Sequence, residues 1–516
     1  MLSKVLSLGF KGIEGFGVTV EVDVGGGLPS FNIVGLPDTN IKESRDRVLS
    51  AIKNSGFDLP SKKIVINLSP AEIKKSGTHY DLPIAVGILL AIGKHSVSGD
   101  INLSRIGFVG ELALDGEIKP VVGILPMLIS MKEQKLFDIV VIPYQNAREA
   151  ILSGVNFLVS KNLKEVMMFL KGEITLDTTK LEPLSDNEKK SEDLDFSDVK
   201  GQSYAKRAVE IAAAGFHNII MIGPPGSGKS MIAKRISTIM PPMIEDEILE
   251  TTKIYSVAGL WGNALIRTRP FREPHHTISD IALIGGGTNP RPGEISLAHN
   301  GVLFLDEFPE FSRMAIEALR EPLETGKITI SRVKDTITYP ARFLLVASSN
   351  PCPCGYFGHP VKKCICTPIQ IKKYRSKISG PILDRIDIHI DMLPVRYADW
   401  SADYDCESSS MIYERVEKAL FAQKKRFGDK GKFNSRMTPK EIKKYCQVSD
   451  DVVDMLENIM DKMGYSARSL DKIMKIARTI ADIDGSNDIK KEHVAEAIHY
   501  RVLDKNIVID GSYGYE

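Results

Sequence analysis

The chain has 516 residues, enough for more than one domain, and its 43% hydrophobic content can supply packed cores. Lys and Arg total 67 against 66 Asp and Glu, so the chain is not a polycation and any nucleic-acid surface must be a local patch. No apolar run approaches the roughly 18 residues of a membrane span, and the first residues lack a signal-peptide pattern. These properties argue against a membrane protein and predict a cytoplasmic one.

Residues 1–171 alternate between two kinds of pattern. Strand-like runs, such as Val18–Val24 and Lys63–Asn67, are separated by helical stretches, which predicts an α/β domain. The apolar run from Leu82 to Gly93 is too short to cross a bilayer and predicts a core helix. Residues 172–194 then turn polar and acidic without an apolar period, which predicts a flexible linker.

A phosphate-binding motif follows the linker. A strand-like run, Asn218–Ile222, leads into a match to G-x-x-x-x-G-K-[ST], and a helical pattern follows it. In such a loop the backbone N–H groups cradle a polyphosphate, Lys229 reaches the β- and γ-phosphates, and the Ser230 hydroxyl ligates Mg²⁺. The predicted nucleotide-binding residues are Gly223, Pro224, Pro225, Gly226, Ser227, Gly228, Lys229 and Ser230.

Two carboxylates end a second apolar strand, which runs from Val302 to Leu305. Asp306 is placed to hold Mg²⁺ through water, and Glu307 to polarise the attacking water. Together with the phosphate-binding loop, this pair predicts an ATP hydrolase with ATP and Mg²⁺ as its cofactors. His275 and His276 precede the strand, and we expect them to form a polar turn near the nucleotide rather than a metal site.

Two further segments of this region have distinct sequence patterns. Residues 278–295 form an insertion with a Gly-rich centre, and residues 326–339 alternate as a β-hairpin does, with a turn near 332–335. Arg332 and Lys334 would put positive charge on that tip and contact DNA phosphates irrespective of sequence. The alternative is a hairpin whose charges are merely solvated.

Four of the six cysteines cluster as two C-x-C pairs. Paired thiols that close a loop predict a structural Zn²⁺ site, with free thiols or disulfides as alternatives. His359 lies inside the loop as a substitute ligand, and Lys362 and Lys363 beside it are candidate DNA contacts. The predicted zinc ligands are Cys352, Cys354, Cys364 and Cys366.

The order of these motifs resembles that of AAA+ ATPases. Residues 195–202 resemble the segment that lines the adenine pocket, and Asn350 ends a buried strand as sensor 1 does. The resemblance makes Arg385, within residues 379–387, the arginine finger, and Arg468 a sensor 2 that faces the phosphates from a helical lid. It implies an ATPase core at 195–391 and a lid domain at 392–516. A finger that acts on the neighbour's nucleotide also implies a ring, most often a hexamer.

Longer strings resemble the YifB/ComM group of magnesium-chelatase-like AAA+ ATPases, end to end. They are Gly12–Asp23, Ile33–Asp38, Phe271–Ser279, Leu319–Gly326, Asn350–Gly355 and Ile476–Asp482. The resemblance implies a multidomain α/β protein with a Lon-protease-like α/β N-terminal domain, an AAA+ P-loop αβα core and a C-terminal helical lid. It further implies a homo-hexameric helicase on single-stranded and branched DNA. Such a motor drives branch migration in natural transformation and homologous recombination, with recombination proteins as expected partners.

The N-terminal domain, residues 1–171, resembles the Lon protease domain in outline but departs from it at the nucleophile. Lon chemistry needs a serine in a Gly-rich turn and a lysine that deprotonates it. Asp81-Leu-Pro stands about where that serine belongs, so the domain is predicted to be inactive. Ser76 or Thr78, slightly earlier, remains open as a displaced nucleophile.

Two other functions are compatible with the ATPase motifs. One is the motor subunit of a magnesium chelatase, although that motor normally lacks the Lon-like domain and the cysteine loop. The other is an ATP-driven protein unfoldase or protease, against which the absent nucleophile and the basic hairpin tip argue.

Overall fold

The computed structural model describes residues 1–94, 96–177, 194–262, 264–287, 290–332, 335–394, 406–463 and 466–501, without the side chains at 332, 335 and 459–463. The chain divides into two compact units, one of residues 1–187, 252–265 and 288–291 and the other of residues 188–251, 266–287 and 292–516. Of the predicted linker at 172–194, residues 178–193 lie outside the described residues. Among the described helices, none combines the length and apolar character needed to cross a membrane.

The first unit is built on a mixed seven-stranded sheet with the strand order β3-β4-β2-β1-β5-β8-β9. β1, β2 and β4 pair antiparallel, whereas β3 on one side and β5, β8 and β9 on the other pair parallel. The strands are β1 (Leu2–Lys11), β2 (Glu14–Gly25), β3 (Ser30–Val34), β4 (Lys63–Ser69), β5 (Ile106–Phe108), β6 (Glu111–Leu112), β7 (Ile118–Lys119), β8 (Ile139–Pro143) and β9 (Phe157–Ser160). The two strand runs predicted from the sequence lie within β2 and β4.

The described residues of the first unit that precede residue 252 form five α-helices. Asp38 caps the first of them by accepting the N–H of Ile41 at 2.9 Å, which satisfies one of the free donors at a helix start. Ten of the eleven residues of the second are buried, which confirms the predicted core helix over most of the run from Leu82. The helices are α1 (Thr39–Asn54), α2 (Asp81–Ala91), α3 (Ile124–Gln134), α4 (Ala147–Ile151) and α5 (Leu163–Leu170).

The second unit contains a parallel five-stranded sheet with the strand order β11-β14-β17-β10-β18. Its central strands are buried along nearly their whole length, because helices cover both faces of such a sheet. The strands of this unit are β10 (Ile219–Ile222), β11 (Phe271–Arg272), β12 (Gly285–Gly286), β13 (Arg291–Pro292), β14 (Val302–Leu305), β15 (Lys327–Arg332), β16 (Asp335–Pro340), β17 (Leu344–Ser349) and β18 (Ile388–Asp391). Since parallel strands end at one edge, the residues that follow β10, β14 and β17 come together there.

The helices that follow residue 194 begin with α6 (Ser203–Gly215), α7 (Lys229–Arg235), α8 (Glu245–Ala258), of which the part from Thr252 belongs to the first unit, α9 (Asp280–Ile284), α10 (Glu294–Leu297), α11 (Arg313–Ala318), α12 (Arg320–Thr325), α13 (Pro368–Arg375) and α14 (Gly380–Leu383). The C-terminal part is helical, as predicted. It comprises α15 (Ser409–Phe427), α16 (Pro439–Tyr445), α17 (Asp450–Met463), α18 (Ala467–Ile483) and α19 (Lys491–His499).

The C-terminal helices and the parallel sheet share one hydrophobic core. Ile412 and Val416 of α15 and Ile476 and Ile480 of α18 are fully buried in the same cluster as Ile219 of β10. Burial of one apolar face is what holds such amphipathic helices in place. On α17, Val452 and Leu456 are buried and Met455 is partly buried.

Candidate nucleotide-binding site

The loop of residues 223–230 joins the end of β10 to the start of α7. Gly226 and Gly228 have φ angles of +80° and +90°, which place them in the left-handed region that favours glycine. Gly223 is needed for a different reason, because a Cβ there would lie 2.5 Å from the Met392 carbonyl oxygen. The three glycines therefore let the backbone take the tight path that a phosphate-binding loop requires.

Lys229 is buried at the start of α7 and contacts the loop itself. Its Nζ donates to the carbonyl oxygens of Gly223 at 2.7 Å and Pro224 at 3.0 Å, and lies 3.4 Å from Asn350 Oδ1. Burial lowers the pKa of this ammonium group. The predicted sensor 1 asparagine and the predicted phosphate-binding lysine therefore lie in contact.

Asp306 accepts hydrogen bonds from hydroxyl groups of two neighbouring segments. Its Oδ2 accepts from the Ser230 hydroxyl at 2.8 Å, and its Oδ1 accepts from the Ser348 hydroxyl of β17. Carboxylate and hydroxyl oxygens are the ligands that Mg²⁺ uses, together with waters and phosphates. The structure thus brings the two predicted Mg²⁺ residues together.

Glu307 follows in a left-handed conformation, with φ of 51°, which is uncommon for a residue with a side chain. Its N–H is held by Asp306 Oδ1 at 3.0 Å and by Ser348 Oγ at 3.4 Å. Its side chain is half exposed, and Oε2 lies 3.4 Å from Nδ1 of His276. The backbone turn therefore directs the carboxylate outward, where a water and a substrate can reach it.

His276 makes a contact in the site that the sequence pattern does not specify. The adjacent histidines predict only a polar turn near the nucleotide, and the structure brings His276 to the predicted water-polarising carboxylate. Its neighbour His275 bonds instead with the Thr277 hydroxyl at 2.9 Å. A signal existed in the adjacent histidines, but which of them faces Glu307 depends on the path of the chain between β11 and α9.

Arg385 and Arg468 lie together in a cleft of about 490 Å³. Arg385 forms an ion pair with Glu324, and this hydrogen bond, with a smaller effect of Arg468, lowers the pKa of Glu324. Among the described residues that line the cleft, none comes from the phosphate-binding loop. Other cations share the cleft, namely Arg342, Arg436, Lys472 and Lys475.

Comparison with known proteins matches three families along the chain. They are "Magnesium chelatase, subunit ChlI" over residues 195–400, "Subunit ChlI of Mg-chelatase" over residues 20–146 and "Magnesium chelatase, subunit ChlI C-terminal" over residues 406–501. Competence protein ComM of Haemophilus influenzae is 42% identical over 511 residues, covering 97% of this chain and 98% of that protein. The uncharacterized protein YifB of Escherichia coli is 41% identical over 510 residues, covering 98% of both.

The chain belongs to the YifB/ComM family of magnesium-chelatase-like AAA+ ATPases. A more distant likeness is to the DNA replication licensing factor mcm6 of Dictyostelium discoideum, which is 22% identical over 329 residues, covering 60% of this chain and 33% of that protein. Membership in an AAA+ family implies ATP and Mg²⁺ as ligands. The residues fit this implication, because the buried Ser227 Oγ, in the described structure, has no hydrogen-bond partner within the loop that would surround the phosphates.

The four clustered cysteines also come together in this family member. All four sulfur atoms lie within 4.8 Å of one another, and the set contains no histidine. Nδ1 of His359, the predicted substitute ligand, instead accepts the N–H groups of Val361 at 3.0 Å and Lys362 at 2.9 Å. The backbone N–H of Tyr356 lowers the pKa of Cys354 to about 6, as expected for a thiolate held by amide donors.

The predicted DNA contacts divide between described and undescribed positions. Arg332 ends β15, which pairs antiparallel with β16 as the predicted hairpin requires, but its side chain and all of Lys334 lie outside the described parts. Lys362 is exposed, with its Nζ 4.9 Å from the centre of the Tyr356 ring. Lys363 is also exposed.

In the first unit, Asp81 opens α2 and is almost fully buried, where its Oδ2 pairs with Arg47 Nε at 2.8 Å. Burial raises the pKa of Asp81 to about 6 although Arg47 opposes the shift. The Thr78 hydroxyl donates to Glu111, and the buried Lys75 Nζ donates to the Pro70 carbonyl. These two groups, which could have served a displaced nucleophile, are thus engaged with other partners.

Proposed function

We propose that the chain is the subunit of an ATP-driven ring motor that acts on DNA and promotes branch migration when single strands are integrated. One observation carries the motor part of this proposal. The predicted nucleotide residues fall into two separate sets, with Lys229, Asp306 and Asn350 at the sheet edge and Arg385 and Arg468 in the cleft with Glu324. A nucleotide site of this kind becomes complete when the cleft of one subunit meets the loop of the next.

Within one subunit, the groups that bind the nucleotide and activate the attacking water lie at the edge of the sheet. The loop N–H groups and Lys229 hold the phosphates, and Ser230 with Asp306 would hold Mg²⁺, which neutralises charge that develops on them. Glu307 polarises the attacking water, and Asn350, in contact with Lys229, orients it beside the γ-phosphate. His276 acts as a positioning residue by holding the exposed Glu307 carboxylate.

Arg385 and Arg468 supply positive charge from the neighbouring subunit. Arg385 pairs with Glu324 in the isolated chain, and a neighbour's γ-phosphate would replace that carboxylate as its partner. The resemblance to AAA+ ATPases makes Arg468 a sensor 2 that faces the phosphates from a helical lid. Its position in the cleft with Arg385 favours a joint action of both arginines on the neighbour's nucleotide, in a hexameric ring.

DNA as the substrate rests on the hairpin and on two relatives. β15 and β16 form a two-stranded ladder whose last paired residues are Arg332 and Asp335. The cations that the sequence predicts at its turn, Arg332 and Lys334, would follow a phosphate backbone without reading its sequence. Two relatives are named a competence protein and a DNA replication licensing factor, and both names are consistent with a function on DNA. Lys362 and Lys363 would add a second, weaker contact.

The first unit is proposed to be an accessory module without protease activity. Asp81 occupies the position where the Lon resemblance expects the nucleophile, and a buried carboxylate paired with Arg47 cannot act as a serine does. The engagement of Lys75 and Thr78 elsewhere argues against a displaced serine or threonine chemistry.

The DNA proposal is tested by replacing Arg332 and Lys334 together with Ala. We expect DNA affinity to fall alike for all sequences, because interactions with phosphates carry no sequence information. The slope of log affinity against log salt should flatten by about 0.9 for each duplex phosphate that the variant no longer neutralises. ATP hydrolysis without DNA should persist, whereas strand exchange on three- and four-way junctions should fail. Fluorescence anisotropy over a salt series and a junction assay measure these effects.

The matched control is Lys327→Ala, because Lys327 lies at the exposed base of the same hairpin, paired with Pro340. It should leave the salt slope and junction migration unchanged. An unaltered salt slope in the double variant would contradict the hairpin assignment. A parent protein that neither binds DNA nor migrates junctions, yet hydrolyses ATP in response to a polypeptide or a porphyrin, would contradict DNA as the substrate.

A further inference from the structure

Three sulfur atoms of the four-cysteine cluster have separations close to the edges of a tetrahedral metal site, and all four lie within 4.8 Å of one another. Cys352 Sγ lies 3.4 Å from Cys354 Sγ and 3.7 Å from Cys364 Sγ, and the Cys354 and Cys364 sulfurs are 3.5 Å apart. With a Zn–S bond of about 2.3 Å, a regular tetrahedron has sulfur–sulfur edges of about 3.8 Å. Disulfide sulfurs are only about 2.05 Å apart. The observed edges therefore match a common central ligand far better than a pairing of two disulfides.

The surrounding backbone is arranged for charged sulfur. The Phe357 N–H points at Cys352 Sγ at 3.3 Å, and the Cys366 N–H points at Cys364 Sγ at 3.4 Å. Amide donors of this kind stabilise thiolates, the form in which cysteine binds metal. Cys352 itself is fully buried.

We propose that Cys352, Cys354, Cys364 and Cys366 hold one structural Zn²⁺, and that this centre fixes the segment after Asn350 against the phosphate-binding loop. All four positions of the tetrahedron are filled by the chain, which is typical of a structural rather than a catalytic zinc. The proposed link to the phosphate-binding loop rests on the proposed ATP site, whereas the proposed zinc site does not.

Two contacts connect the segment of the cluster to the phosphate-binding loop, and a third holds that segment from its other side. Cys352 follows Asn350 by two residues, so a fixed sulfur limits the movement of the side chain that contacts Lys229. The backbone of Gly355, in a left-handed conformation, lies so close to the loop that a Cβ would stand 2.8 Å from Pro225 Cδ. Arg375 Nε donates to the Pro351 carbonyl at 3.2 Å and holds the segment from its other side.

Metal content of the purified full chain tests the site directly. Elemental analysis after dialysis should find about one zinc per chain, and Cys364→Ser with Cys366→Ser should remove it. Cys406→Ser is the matched control, because Cys406 is a free thiol outside the cluster, and it should keep the zinc. Iron in place of zinc, an absence of metal even after addition of Zn²⁺ to the reduced protein, or zinc retained in the double variant would overturn the proposal.

A second measurement avoids dependence on the folding of the variant. Zinc is stripped from the parent protein with a soft-metal chelator in excess Mg²⁺ and replaced with Co²⁺, which should give the absorption of a tetrahedral tetrathiolate. An octahedral cobalt spectrum would overturn the four-sulfur assignment. Circular dichroism of the stripped protein reports whether the rest of the chain stays folded.

Hydrogen exchange tests the connection to the nucleotide site. In the stripped protein, amides of residues 351–357 and also of residues 223–228 should exchange at least about tenfold faster, and added Zn²⁺ should restore both. Faster exchange in the cysteine loop alone would overturn the connection. ATP hydrolysis on the same samples is read separately, since its absence in zinc-loaded protein would contradict the ATPase proposal and leave the metal and exchange results standing.

Discussion

At the scale of single residues, the half-exposed carboxylate of Glu307 has to be kept in one orientation without being buried. The left-handed backbone and the two contacts of the Glu307 N–H fix the direction in which its side chain leaves the main chain. Nδ1 of His276, 3.4 Å from Oε2, contacts the carboxylate at the end of that side chain. Burial away from solvent would also keep the attacking water from reaching this carboxylate. His276 instead orients the carboxylate at the surface, without burying it.

His276→Ala should therefore lower kcat for ATP hydrolysis about fivefold while leaving KM nearly unchanged. The fivefold loss of kcat follows because an exposed ion pair contributes about 1 kcal/mol. KM should stay nearly unchanged because His276 contacts the Glu307 carboxylate rather than the phosphate-binding loop. Steady-state kinetics measure both constants. His275→Ala, at the neighbour that bonds with Thr277, should change neither. Equal loss in the two variants would show a general effect on the turn and contradict the positioning role.

At the scale of elements, α1 and α2 of the first unit are joined by the ion pair of Arg47 and Asp81. A buried carboxylate is tolerated only when it is paired, and Leu112 also donates its N–H to Asp81 at 3.4 Å. The pair lies where the Lon resemblance expects a nucleophile. Under the proposed accessory role of the first unit, this position serves the packing of two helices.

Arg47→Met should lower the free energy of unfolding of the first unit by about 3 kcal/mol, because the carboxylate loses its partner. The pKa of Asp81 is already raised from 3.8 to about 6 by burial, so its ionisation opposes folding. The loss should accordingly be largest above pH 6 and shrink as the pH falls and the carboxyl group takes up a proton. Urea unfolding followed by hydrogen exchange in β1–β5 measures it.

Arg45→Met provides the control on the same helix, because Arg45 is exposed and lies 4.0 Å from the exposed Asp46. It should change stability by no more than about 0.5 kcal/mol. A pH-independent loss in the Arg47 variant would mean that packing of the arginine stem, rather than its charge, stabilises the unit.

At the scale of the whole molecule, the proposed nucleotide site is divided between the loop at the sheet edge and the cleft of Arg385 and Arg468. Arg385→Ala and Glu307→Gln should each bind ATP and each lose hydrolysis, by about 100-fold or more. Mixing the two inactive proteins should restore part of the activity, because an intact Glu307 can then face an intact Arg385 from its neighbour. Hydrolysis measured over a range of mixing ratios tests this.

Arg313→Ala, at an exposed arginine of α11, serves as the control and should remain active alone. Failure of the mixture at every ratio, with mixed rings detected by native mass spectrometry, would contradict the action of Arg385 on a neighbour. The same experiment with Arg468→Ala in place of Arg385→Ala tests whether both arginines of the cleft serve the neighbouring site.

The sequence by itself determined the features that depend on local order. The loop at 223–230, the two carboxylates after β14 and Asn350 after β17 were predictable because each follows a short apolar strand, and parallel strands end at one edge. The hairpin at 327–340 and the core helix α2 followed from an apolar period of two and from continuous apolarity, respectively. These signals lie within a few residues of one another.

Only the tertiary structure decided which distant groups meet. Arg385 pairs with a carboxylate 61 residues away, His276 reaches Glu307 across the segment that includes α9, and Arg375, a cation beyond the cysteine loop, holds the Pro351 carbonyl. The four sulfurs were identifiable as a set, but their near-tetrahedral spacing came from the fold of the loop between them. Such contacts are set by side-chain direction and packing between elements, which a linear pattern of residue types does not encode.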